Sequence, residues 1–152
     1  MGTTFNNLST EDKIDFFLKC QELLINNYPN SRFLITEENI KDRLSFIQDF
    51  FNNYKGFVYN DEHVCIMYNY IKITDKNNPV EVLNTHKFQP PVIDYNAISI
   101  DFGTMDSIKN LKKFCETFYN SQIKYVMFVR QGRPAIYDTL DLITKFTGIK
   151  KV

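Results

Sequence analysis

At Gly56 the spacing of apolar residues changes, and that change limits the folds open to this chain. Before Gly56, apolar side chains recur every three or four positions; after it, they alternate. The first spacing belongs to helices with a buried face, the second to strands. A chain that opens with two helical stretches and then turns to strands must pack those helices against a sheet.

In the first stretch Ser9 or Thr10 is a natural N-cap, and Glu11 and Asp12 stand in the first turn, where the helix dipole favours acids. Ile14, Phe17, Leu18, Leu24, Ile25 and Tyr28 then share one face, and Pro29 closes a helix expected over 10–28. Thr36 repeats the cap signal before Glu37 and Glu38. Ile40, Leu44, Ile47, Phe50, Phe51 and Tyr54 give a second helix over 37–54, stopped by Gly56.

Residues 57–59 read as a short strand and Asn60-Asp61-Glu62 as a turn. From 63 to 73 two faces alternate, with Val64, Ile66, Tyr68 and Tyr70 against Cys65, Met67, Asn69 and Ile71, which predicts a hairpin with a long second arm. Residues 74–94 read as a long loop with a brief strand at 80–83; a loop of this length in a compact domain is usually functional or mobile. A third strand over 95–102 ends at Gly103. Asp106 or Ser107 caps a third helix through Tyr119, with Ile108, Leu111, Cys115 and Phe118 inward. Residues 125–129 are a continuous apolar run, as in a strand buried on both faces.

Pro134 suits the first position of a fourth helix, with Ile136, Leu140, Ile143 and Thr147 as its stripe and Gly148 as its stop. The alternative for 124–137 is a hairpin about Gln131-Gly132. Residues 149–152 would add a strand fragment. The expected order is α-α-β-β-β-α-β-α in one domain, 1–152: an α/β (α+β) fold whose mixed sheet carries helices on both faces. The strand–helix–strand unit at 95–130 is expected to be a parallel crossover.

Charge narrows the partners. Lys plus Arg is 18 and Asp plus Glu is 18, which excludes a strongly basic nucleic-acid coat or an acidic tail. The balance is uneven: residues 1–103 hold 9 basic and 14 acidic side chains, residues 104–152 hold 9 and 4. The basic final third suits a phosphate, an acidic protein or nucleic acid, or else is a solvated lysine surface on two helices. The tyrosines around the hairpin suit a protein interface, and the acidity of that region argues against nucleic acid. Three cysteines, Cys20, Cys65 and Cys115, form no CxxC, and the two histidines, His63 and His86, lie apart, so no metal site is expected. Cys115 with His86 and Asp94 is a conceivable nucleophile set, but Cys115 stands on a buried stripe and reads as a core thiol. No apolar run is long enough for a membrane span, and the N-terminus lacks the basic and apolar regions of a signal peptide. Asn, Ile, Lys, Phe and Tyr supply 69 of 152 residues and Ala only 2; the enriched types share A- and T-rich codons, as in many viral and some bacterial genomes.

The element order resembles that of the GNAT (Gcn5-related N-acetyltransferase) fold over about 10–150. The closing stretch from Ser107 to Gly148, with Lys109, Lys112 and Lys113, the aromatic strand at 125–129 and Thr147-Gly148-Ile149, resembles the GNAT-like internal virion proteins of short-tailed bacteriophages. The resemblance implies acetyl-CoA held by a glycine-rich turn between the central strand and the next helix. Here that place reads Asp101-Phe102-Gly103-Thr104-Met105-Asp106-Ser107, with one glycine, no basic residue and two carboxylates that would repel a pyrophosphate. If CoA binds, Gly103, Thr104 and Ser107 are its contacts. The family's proton-donating Tyr falls on Thr144, a poor acid; Tyr137 does not match, and Asp101 is a strained choice of general base. The resemblance therefore implies the fold without the chemistry: a non-catalytic protein with no catalytic residue and no cofactor, located in the virion or host cytoplasm and bound to other virion proteins. The alternative is an active acetyl-CoA-dependent N-acyltransferase. Arg130 and Arg133, flanking Gly132 before the expected helix, are the best candidates for contact with an anion or partner.

Overall fold

The structure, a computed structural model, describes residues 3–31, 34–75, 77, 93–120, 122–130 and 133–148. The described residues form four α-helices and a five-stranded mixed sheet, an α+β arrangement. Helix α1 (Thr10–Asn27) begins at Ser9, whose Oγ accepts from Asp12 N at 3.1 Å. Helix α2 (Ile40–Asn53) starts three residues later than expected. Thr36 and Asn39 exchange side-chain-to-backbone hydrogen bonds that form a turn ahead of it.

Strands β1 (Phe57–Asn60), β2 (Val64–Ile71) and β3 (Ala97–Met105) form an antiparallel meander. After a 3-10 turn (Ile108–Asn110), α3 (Leu111–Phe118) crosses over to β4 (Tyr125–Arg130), which lies parallel to β3. The sheet order is β1-β2-β3-β4-β5.

Both faces of the sheet are covered, and β2 shows why the two-face reading of 64–71 holds. Val64, Ile66, Tyr68 and Tyr70 join Leu111, Phe114 and Cys115 of α3 in one core. Cys65 and Met67 join Phe16 and Cys20 of α1 and Phe50 of α2 in the other. Every residue of β2 is buried. Aromatic rings carry much of the packing: Phe114 meets Tyr68 at 5.4 Å and Tyr59 at 5.1 Å. Burial of one such ring is worth about 1.5–3 kcal/mol.

Three expectations are corrected. First, the expected fourth helix from Pro134 is strand β5 (Arg133–Asp138), antiparallel to β4, so the order among the described residues is α-α-β-β-β-α-β-β-α. The alternative of a hairpin over 124–137 is the one found: β4 and β5 pair antiparallel, with Arg130 opposite Arg133. Proline is tolerated because β5 is an edge strand, where one face of the backbone needs no ladder partner. Helix α4 (Thr139–Gly148) starts five residues later, capped by Asp138, whose Oδ1 accepts from Leu140 N at 3.0 Å and Asp141 N at 3.3 Å.

Second, β3 continues through Gly103 to Met105, with Gly103 opposite Ile66 and Thr104 opposite Cys65. Third, most of the expected α1 stripe faces away from the core. Of its residues Leu24 is buried, together with Phe16 and Cys20 from outside the stripe, whereas Ile14, Leu18, Ile25 and Tyr28 are exposed. The expected strand fragments at 80–83 and 149–152 lie outside the described residues.

Candidate functional site

The site is the end of the sheet where β3 and β4 point their carboxyl ends. Parallel pairing covers only Ala97, Ile98 and Ser99 opposite Tyr125, Val126 and Met127. Beyond Ser99, among the described residues, β3 pairs with β2 and β4 with β5. The two parallel strands thus part after three residues and open a wedge.

A bulge accompanies the parting. Tyr68 pairs with Ile100 and Met67 with Phe102, which leaves Asp101 as the extra residue. A bulge bends its strand and shifts the side-chain phase by one. Ile98 and Ile100 therefore pack with α3, while Phe102 packs with α1 and α2. Strict alternation places Phe102 on the opposite face. The Asp101 carboxylate is held from both sides: Tyr54 Oη donates to Oδ2 at 2.5 Å and Ser99 Oγ to Oδ1 at 2.9 Å. Burial, followed by the charge of Asp101, raises the Tyr54 pKa. This buried tyrosine is thus held in its protonated form as a donor to Asp101.

The three residues assigned to CoA do not converge. Gly103 lies in the ladder, and a Cβ there would meet Ile100 and Ile66 at an ordinary 3.5 Å. The Thr104 side chain is buried beside the Cys20 thiol, and its Oγ1 has no hydrogen bond of regular geometry. Ser107 Oγ accepts from Lys109 N at 3.3 Å. A pleated strand points successive N–H groups to opposite sides, whereas a phosphate cradle needs them to converge.

A pair that sequence reasoning missed stands at the same end. His63 places Nδ1 2.5 Å from Asp106 Oδ2, and Asn110 Nδ2 also donates to Asp106. Two backbone features bring them together. Asp61 accepts from His63 N at 2.8 Å and Val64 N at 3.0 Å, which fixes the β1–β2 turn, and Asp106 N donates to His63 O at 3.0 Å. The hydrogen bond to Asp106, then its charge, raises the His63 pKa, and the histidine in turn lowers that of Asp106. With Nδ1–H committed to the carboxylate, Nε2 of the neutral ring is an acceptor. The His63 side chain is 51% exposed. The pair lies 43 residues apart in sequence, and no local signal joins its members.

Arg130 and Arg133 stand opposite each other across β4 and β5. They flank a hairpin and do not precede a helix, so the helix dipole adds nothing to their anion-binding case. Tyr137 lies on β5 with its ring 5.6 Å from Phe128, and Thr144 is exposed on α4. All three cysteines are free and buried. Burial raises Cys115 to about 12, with the Glu116 charge adding to it. The Cys65 thiol, then burial, raises Cys20. Of the conceivable nucleophile set, Asp94 pairs with Lys72 at 2.7 Å and His86 lies outside the described residues. Among the described residues no three His, Cys, Asp or Glu side chains gather as metal ligands, and no helix is long and apolar enough to cross a membrane. Compared with models of protein families, with curated proteins and with solved structures, the chain matches none of them.

Proposed function

We propose that this chain is a non-catalytic protein of GNAT-like architecture that works by binding other proteins, as a component of a bacteriophage virion. The observation that carries the reading is the path of β3. Where an acetyl-CoA-binding turn belongs, the backbone is a pleated strand paired to β2, with the Thr104 side chain buried. Asp106 follows directly after this strand, and a carboxylate there repels a diphosphate. The virion assignment rests on the resemblance of the stretch from Ser107 to Gly148. The extra strand β5 is a departure from the element order that carried this resemblance.

One observation favours the second reading, an acyltransferase. The wedge opens at the carboxyl ends of parallel strands, where ligands of α/β sheets commonly bind, and the His63–Asp106 pair follows at the carboxyl end of β3. Thermal denaturation with millimolar acetyl-CoA separates the two. A cofactor at a hundredfold excess over its Kd adds about 2.7 kcal/mol to stability. The expected outcome is an unchanged melting temperature; a ligand-dependent rise overturns the non-catalytic reading.

A further inference from the structure

Two of the three cysteines meet in one core. Cys20 of α1 and Cys65 of β2 are buried together among Phe5, Phe16, Phe50 and Tyr54. Cys115 lies in the other core, with Leu111 and Phe114. The Cys20 thiol donates a hydrogen bond to the Cys65 sulfur. Cys65 Sγ in turn donates to Asn60 Oδ1 at 3.7 Å, and Lys19 Nζ donates to that same oxygen at 2.6 Å. Thr104, opposite Cys65 in the ladder, sets its buried side chain beside Cys20. The two sulfurs are therefore neighbours inside a small polar cluster, and a cation shares an acceptor with one of them.

That cluster divides the roles of the two thiols. The hydrogen bond from Cys20 lowers the Cys65 pKa, burial opposes it, and the Lys19 charge lowers it further. The same hydrogen bond, then burial, holds Cys20 protonated. The thiolate is the nucleophile in thiol chemistry, so Cys65 attacks and Cys20 resolves. A small oxidant has room beside them. An apolar cavity of about 60 Å³ is lined by Cys20, Met67 and Phe102, and also by half-exposed Phe46. One water needs about 10–15 Å³, so hydrogen peroxide, with two heavy atoms, fits this space next to Cys20.

We propose that Cys20 and Cys65 are a redox pair that hydrogen peroxide closes to a disulfide, tying α1 to the central sheet. The inference is independent of the protein-binding reading. The Cys65 thiolate sulfur attacks one peroxide oxygen and the O–O bond breaks. The leaving hydroxide takes up the proton that Cys65 released and departs as water, which leaves a sulfenic acid on Cys65. The Cys20 sulfur then attacks the Cys65 sulfur. The S–S bond forms, the S–O bond breaks, and hydroxide departs with the Cys20 proton as a second water. Both thiols are oxidised and the peroxide is reduced. A reducing compartment keeps such a pair open and an oxidising one closes it. The test treats the reduced, folded chain with hydrogen peroxide, then denatures and alkylates it and maps its cysteines by peptide mass spectrometry. The expected result is a peptide linking Cys20 to Cys65, with Cys115 alone alkylated and all three thiols restored by dithiothreitol. The link is expected to form at least about tenfold faster in the folded chain than in urea, where no fold holds the sulfurs together. Three thiols remaining after peroxide, a link that includes Cys115, a link between two copies, sulfinic acid in place of a link, or equal rates folded and unfolded overturns the inference.

Discussion

A Cβ on Gly56 would sit 2.5 Å from the Tyr54 hydroxyl and 2.5 Å from the Tyr68 carbonyl oxygen, closer than real Cβ atoms come. Sequence reasoning used Gly56 only as a helix stop, but its deeper constraint is this close approach of backbone to core. Gly56→Ala is expected to cost about 1–3 kcal/mol in chemical denaturation, as overpacking does. Gly103→Ala, with only ordinary contacts, is expected to stay within about 0.5 kcal/mol. Equal costs would contradict these placements. The His63–Asp106 pair gives a second test at this scale. The raised His63 pKa means that the pair is complete below the ordinary histidine value of 6.5 and is lost as pH rises through the raised value. The lowered Asp106 pKa means that it persists above 3.8 and is lost as pH falls through the lowered value. Asp106→Asn is expected to lower the His63 titration, followed by NMR of its ring, toward the ordinary histidine value; an unchanged titration would show that Asp106 does not hold the ring.

Elements were legible where a period ran uninterrupted. The faces of β2 and the position of α3 followed from alternation and an apolar stripe, because burial selects side chains at those spacings. Legibility failed at two kinds of place. A bulge inserts one residue, so the phase of β3 after Asp101 is invisible to a fixed period. At 131–138, Pro134 and the apolar residues after it satisfy a helix start and an edge strand equally well, and only pairing with β4 decides between them. Asp138→Ala tests that outcome. As the N-cap of α4, Asp138 is expected to cost about 0.5–2 kcal/mol on removal. Were the helix to begin at Pro134, Asp138 would be a helix-interior residue, and alanine would stabilise.

At the scale of the molecule, the sheet is a buried partition with two different faces. The α3 side is dense with interlocked rings: Phe114, Phe118, Tyr59, Tyr68 and Tyr70 all lie within about 6.5 Å of a neighbour's centroid. The α1/α2 side holds an apolar cavity lined by Phe16, Phe50 and Met67 and leaves Ile14, Leu18, Ile25, Ile40 and Leu44 exposed. That asymmetry was hidden because α1 is apolar on two faces, and a sequence stripe cannot tell the face that meets the sheet from an exposed one. The candidate site was legible only as a composition of residues; its geometry, with Gly103 and Thr104 in a strand paired to Ile66 and Cys65, came from the pairing of β2 with β3. The most direct test of that geometry is an NMR titration with acetyl-CoA, following the backbone amides of Gly103, Thr104 and Ser107. Unmoved resonances at millimolar ligand are expected. Saturable shifts centred on those three amides would contradict the account.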